Sequence, residues 1–242
     1  RQTSCPSVWT DVAADMKTSF IVDGACTDDA RAAIRLSFHD CFPAGSCDGS
    51  IILADECSTR GENSQMTGIC TTLGEMATQY NVSTADIIQL GTALGIASCM
   101  GPAISFKVGR TDSSTASPTG QMPGANDNAT SITAAFVAKG FTATELVALI
   151  GAHTAAKDLN DVALDTTEAQ WDNTFYSDTI DGSAPTTLNS DKFLSNSSGT
   201  SATWSKFASS ASDWEAAFVP AMEKMSLLGN DEASMIDCSS VI

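Results

Sequence analysis

Apolar residues recur at helical spacing along most of this chain, and strand-like alternation is scarce. A period near 3.6 residues gives each segment one greasy face, which is best buried against other helices. The expected fold class is therefore all-α. Several helix starts are legible as caps. Thr27, followed by Asp28 and Asp29, predicts a helix running towards Phe42. Ser83-Thr-Ala-Asp86 opens a helix over Ile87-Ile88-Gln89-Leu90, and Thr142-Ala-Thr-Glu145 has capping-box form and opens Leu146 to His153. Ser212-Asp-Trp-Glu215 does the same for a stretch ending at Gly229, in which Pro220 predicts a kink or a regular part confined to one side of it. Gly109 to Asn128 is rich in Ser, Thr, Gly and Pro and reads as a long connection between two helical halves, residues 1–127 and 128–242. Ser195 to Ser212 reads as a surface loop.

The 242 residues suffice to bury a sizeable core. Eight cysteines, an even number, predict a disulfide framework formed in an oxidising compartment. Sequons at Asn81, Asn128 and Asn196 point the same way, to a secreted, extracellular glycoprotein. No leader-like segment is present, so a mature form is expected. A net charge of −17 repels nucleic acid and anionic membranes, so neither is an expected partner. No apolar run reaches the roughly 18 residues of a membrane span.

Only two histidines occur, each inside a helical pattern. Arg35 and His39 are four residues apart and share a helix face, with Phe38 beside them. A guanidinium and an imidazole projecting together can move a proton and then stabilise the negative charge that develops. A core histidine near a surface arginine has the same spacing. His153 lies on an apolar face with Leu146, Leu149 and Ile150. That suits a hydrogen-bonded core residue or an axial ligand to haem iron, and spacing does not choose between them. Zinc is disfavoured, because no Cys-x-x-Cys is present.

The run Arg35-Leu-Ser-Phe-His-Asp-Cys-Phe42, followed by Cys47-Asp-Gly-Ser50, resembles the distal motif of the plant and fungal secretory haem peroxidases. Gly151-Ala-His-Thr154 resembles their proximal motif. Val82 to Ile88, Val108 to Ser113, Met122-Pro-Gly124 and Met235 to Ile242 are similar to further family segments in family order, the last to the ending of fungal members.

The resemblance implies a two-half helical fold with haem b between a distal half carrying His39 and a proximal half carrying His153. His153 is then the iron ligand, with Asp191 accepting from its other ring nitrogen. His39 takes a proton from peroxide and returns it to the outer oxygen. Arg35 stabilises the charge that develops, and Asn63 orients His39. The resemblance also implies two Ca²⁺ ions. The distal site would use Asp40, Asp48, Ser50 and a backbone oxygen near Ser46. The proximal site would use Thr154, Asp165, Thr167, Asp172 and a carbonyl near Gln170. Cys41 and Cys47 flank the distal loop as in plant members, and Cys26 and Cys99 match the bridge shared by secretory members. Cys238 matches a fungal C-terminal cysteine whose usual partner, near residue 202, is absent here. That leaves Cys5 with Cys238 and Cys57 with Cys70 as remaining pairs.

This sequence departs from the specialised fungal subclasses. The exposed tryptophan they carry five residues before the proximal histidine is Ala148 here, and the three-acid manganese site is reduced to Asp28, Ala32 and a shifted Asp158. Trp9, Trp171, Trp204 and Trp214 are left as candidate surface radical sites. The chain is also shorter than typical members, which implies trimmed loops and a more open haem edge. The expected function is a monomeric enzyme that reduces hydrogen peroxide and oxidises small phenolic or dye-like aromatic donors by one-electron steps. The alternatives are oxygen transfer at the same haem and a non-enzymatic secreted protein on a degenerate peroxidase fold.

Overall fold

The computed structural model describes residues 4–242. The chain divides into two compact units: Arg1–Thr119 with Glu223–Ile242, and Gly120–Met222. The sequence reading assigned 128–242 whole to the second half, but the C-terminal segment instead packs with the first unit. Its return is held by a covalent bond and a sheet. Cys5 is bridged to Cys238, and β3 (Lys107–Val108) pairs antiparallel with β4 (Ile236–Asp237). Closing a loop of 233 residues contributes about 5 kcal/mol in the chain-entropy model.

In the first unit α1 (Val8–Phe20) leads through a hairpin, β1 (Ile21–Val22) and β2 (Ala25–Cys26), into α2 (Asp28–Ala44). Two short helices, α3 (Ser50–Leu53) and α4 (Glu56–Thr59), and a 3₁₀ segment, Gly61–Met66, precede α5 (Thr67–Tyr80) and α6 (Thr84–Ser98). The caps fall where expected: Thr27 Oγ1 accepts from the Ala30 N–H, and Ser83 Oγ from the Asp86 N–H. Helix α6 is buried on every side from Thr84 to Ile96 and forms the centre of this unit. It packs closely on α2, the helix that carries His39. At Gly95 a Cβ would lie 2.5 Å from the Ala30 carbonyl oxygen, so only glycine permits this approach. Thr92 Oγ1 donates to the Ala33 carbonyl at 3.0 Å, and Ser37 Oγ donates to Gln89 Oε1 at 2.9 Å. A buried ion pair, Arg110 to Asp86 at 2.8 Å, completes the interior, with Arg110 also donating to the Ser226 carbonyl.

In the second unit the long connection carries no helix until α7 (Ala129–Ala138), as its composition predicted. Helix α8 (Ala143–Ile150) follows, opened by the Thr142–Glu145 capping box. It stops three residues before His153, which lies on a 3₁₀ turn, Gly151–Ala155. Helices α9 (Thr174–Asp181), α10 (Asn189–Asn196) and α11 (Ser201–Ser209) follow, with α12 (Ala211–Ser226), which belongs to this unit as far as Met222. The expected loop over Ser195–Ser212 is therefore overturned. Trp204 and Phe207 anchor α11 in the core, and that burial outweighs the poor helix propensity of its serines. Helix α12 runs through Pro220, and its first turn is capped by Ser210, whose Oγ accepts from the Asp213 N–H, rather than by Ser212.

All eight cysteines are paired: Cys5–Cys238, Cys26–Cys99, Cys41–Cys47 and Cys57–Cys70. All four tryptophans are buried, which removes them as surface sites. Among the described residues no single helix is long and apolar enough to cross a membrane.

Trp204 has no exposed surface, and its Nε1 donates to the Tyr176 carbonyl at 3.0 Å. Trp204→Ala is expected to destabilise the protein by about 3–5 kcal/mol, read from urea denaturation midpoints.

Candidate active site

Each histidine is the centre of a cluster within its own unit. His39 is buried on α2, one turn after Arg35. Its Nδ1 lies 2.7 Å from Asn63 Oδ1. An amide oxygen only accepts, so His39 carries its proton on Nδ1 and presents Nε2 as a base. Asn63 is fixed in turn by donating Nδ2 to the Glu56 carbonyl at 3.1 Å. Arg35 Nε donates to His39 Nε2 at 3.2 Å, and burial lowers the pKa of its guanidinium. The Phe38 ring stands edge-on to His39 at 5.9 Å and packs against Phe42 at 4.8 Å. The structure thus brings Arg35, Phe38, His39 and Asn63 together. Sequence reasoning missed Glu62 and Gln65, whose oxygens accept from the two outer nitrogens of Arg35.

His153 Nδ1 lies 3.1 Å from Asp191 Oδ2, and the imidazole is 28% exposed. Asp191 has no exposed surface, and its Oδ1 is buried without a hydrogen-bond partner. A buried carboxylate with one oxygen unsatisfied leans its charge on the imidazole and strengthens Nε2 as an electron donor. The change from α to 3₁₀ that places His153 has a local cause. Tyr176 Oη donates to the Val147 carbonyl at 2.7 Å, and Trp214 Nε1 donates to the Ala148 carbonyl at 2.9 Å. Those carbonyls are satisfied without a further helical turn. Gly151 sits under both rings, where a Cβ would meet Tyr176 Oη at 2.3 Å and Trp214 Nε1 at 2.4 Å. Phe175 stands edge-on to His153 at 5.6 Å.

Two oxygen-rich clusters adjoin these histidines. Asp40 follows His39 and is fully buried. Its carboxylate accepts from the Gly49 and Ile51 N–H groups at 3.1 and 3.3 Å. Burial, with Asp48 and Glu56 nearby, pushes its pKa up to about 7. Asp48 Oδ1 accepts from the Ser50 N–H at 3.1 Å, and Ser46 precedes them on the same loop. In the second unit Thr154 Oγ1 donates to Asp165 Oδ2 at 2.7 Å and lies 3.5 Å from the Gln170 carbonyl. Thr167 Oγ1 donates to Asp165 Oδ1 at 2.6 Å. Burial raises the pKa of Asp165, and Asp172 adds to the rise. Asp172 itself accepts from the Thr174 N–H at 2.8 Å. Among the described residues no three His, Cys, Asp or Glu side chains form a metal-holding group. Each cluster sets one buried carboxylate, Asp40 or Asp165, beside a second, less buried one, Asp48 or Asp172.

A family model described as Peroxidase matches residues 8–210, and one described as Fungal peroxidase extension region matches residues 214–242. The chain belongs to the peroxidase family. It is similar to "Peroxidase" of Arthromyces ramosus, at 31% identity covering 97% of this chain and 75% of the relative. "Manganese peroxidase 3" of Phlebia radiata is 32% identical over 90% of this chain and 71% of its own length. "Versatile peroxidase VPS1" of Pleurotus eryngii is 30% identical over 94% and 72%. This chain is accordingly a haem peroxidase, an oxidoreductase dependent on hydrogen peroxide. The non-enzymatic alternative falls.

Gly151→Ala is expected to lower the stability of this peroxidase by about 1–3 kcal/mol, because the added methyl must displace two core rings. The denaturation midpoint measures it, and an unchanged midpoint would mean that the rings are not held against the turn.

Proposed function

We propose that this peroxidase is a secreted, monomeric enzyme that reduces hydrogen peroxide and oxidises small phenolic or dye-like donors by one-electron steps. The observation that carries the reading is the tethering of both imidazoles through Nδ1, one to an amide and one to a buried carboxylate. His153 would hold the iron of haem b through Nε2, and Asp191 would make that nitrogen a strong donor. When bound, haem supplies the redox centre that takes oxidising equivalents from peroxide and passes them on singly. His39 Nε2 removes a proton from the inner peroxide oxygen and delivers it to the outer one, with Asn63 keeping the ring in the required tautomer. Arg35 stabilises the negative charge that develops as the O–O bond breaks.

Extracellular location is supported by four disulfides and by the exposure of Asn81, Asn128 and Asn196. Two Ca²⁺ ions fit the oxygen clusters: Asp40, Asp48, Ser50 and a backbone oxygen near Ser46 on one side, and Thr154, Asp165, Thr167, Asp172 and the Gln170 carbonyl on the other. A divalent ion would offset the buried charge of Asp40 and Asp165. Weak manganese turnover follows from the donor set. Ala32 supplies no oxygen, Asp28 is paired with Arg31, and Asp158 is occupied by the Asn160 and Val162 N–H groups.

His39→Ala is expected to slow the reaction with peroxide by at least about a hundredfold in stopped-flow absorbance while haem remains bound. A parental rate would overturn the role given to His39. Removal of calcium gives a second prediction with a definite sign. The folded pKa of Asp40 lies near 7 without an ion, above the ordinary value of 3.8. Its contribution to stability is then full below that ordinary value and is lost as pH rises towards and through 7. A bound cation reverses this by favouring the carboxylate. Chelation should therefore lower Tm by several degrees, and more at pH 8 than at pH 5. An equal or smaller loss at pH 8 would count against calcium at Asp40.

A further inference from the structure

The 3₁₀ segment Gly61–Met66 supplies Asn63, but it does more than orient His39. Arg35 projects from α2 and is held at all three of its nitrogens. Nη1 donates to Gln65 Oε1 at 2.9 Å, Nη2 donates to the Glu62 carbonyl at 3.0 Å, and Nε donates to His39 Nε2 at 3.2 Å. The Glu62 contact is backbone and comes with the fold. The Gln65 contact is a choice of side chain, on a residue that is otherwise exposed. A guanidinium is planar, so fixing both outer nitrogens fixes the plane of the whole fork and the direction of Nε. With Nη1 released, the fork is held only along its Nε and Nη2 edge, by His39 Nε2 and the Glu62 carbonyl, and can tilt about that edge.

We propose that Gln65 is a positioning residue for peroxide cleavage: it fixes the plane of the Arg35 guanidinium against His39, so that the charge stabilising the departing oxygen is preorganised. The inference rests on the roles given above to Arg35 and His39. Preorganised charge costs no reorientation when negative charge develops, whereas a mobile cation must be ordered at that moment. Gln65 touches no reacting atom in this scheme. It acts through Arg35, as Asn63 acts through His39, and both lie on one short segment.

The test uses the haem-loaded protein and the variants Gln65→Met, which keeps the length and removes the acceptor, and Gln65→Glu, which keeps an acceptor. Gln65→Met should slow the stopped-flow reaction with peroxide by about ten-fold, the order expected for one hydrogen bond to a charged group. Fluoride serves as a probe of the same positive charge without turnover. Its binding, read in the absorption spectrum, should weaken several-fold in Gln65→Met. KM for the organic donor and the denaturation midpoint should stay at parental values, because the residue is exposed. Gln65→Glu should recover most of the loss. A parental peroxide rate and fluoride affinity in Gln65→Met would overturn the inference, as would a loss not recovered by Gln65→Glu or one accompanied by a lowered midpoint. Arg35→Ala separates this from the reading beneath it. A parental rate in Arg35→Ala brings down both, whereas a slow Arg35→Ala beside a parental Gln65→Met overturns the role of Gln65 alone.

Discussion

The tethering of a ring nitrogen governs both clusters. An imidazole has two nitrogens, and whatever binds one decides what the other can do. His39 meets a neutral amide, which fixes the tautomer and leaves Nε2 as the acceptor nitrogen. His153 meets a buried carboxylate, which fixes the same tautomer and also adds electron density. In the function proposed above, the same ring serves two tasks, proton transfer in one unit and metal ligation in the other, by a difference of one functional group in its partner.

Much of the surrounding structure serves to hold those partners still. Asn63 is locked by a carbonyl on α4, and that region is stapled to α5 by Cys57–Cys70. The helix under His39 is pinned by α6, with glycine at the point of closest approach. In the second unit the aromatic core performs the equivalent service. Tyr176 and Trp214 take up the last carbonyls of α8, and the chain turns into the segment that presents His153. The oxygen clusters next to each histidine fit the same pattern, since each centres on a carboxylate that burial alone would discourage from ionising.

The parts legible in the sequence were those with local causes. Caps at Thr27, Ser83 and Thr142 are short-range chemistry, and each stands where it was read. The spacing of Arg35 and His39 needed only helical geometry. The parts that escaped have long-range causes. Ser195 to Ser212 looks like a loop by composition, but two aromatic residues with a core to enter make α11 a helix. His153 reads as the continuation of α8, and nothing in its neighbourhood signals that Tyr176, more than twenty residues away, ends that helix early. Gln65 is an ordinary polar residue in sequence and acquires meaning only through Arg35, thirty positions earlier.

The bridge between Cys5 and Cys238 has a mechanical meaning. Tension applied outside Cys5 and Cys238 passes through two sulfur atoms before it reaches α1 or β4, so the fold between them is shielded from a pull that would otherwise peel β4 from β3. It also means that a cut in the helix-free connection from Gly109 to Asn128 releases neither piece. A single break there opens the backbone, yet the two pieces stay one covalent molecule, joined at the opposite end of each.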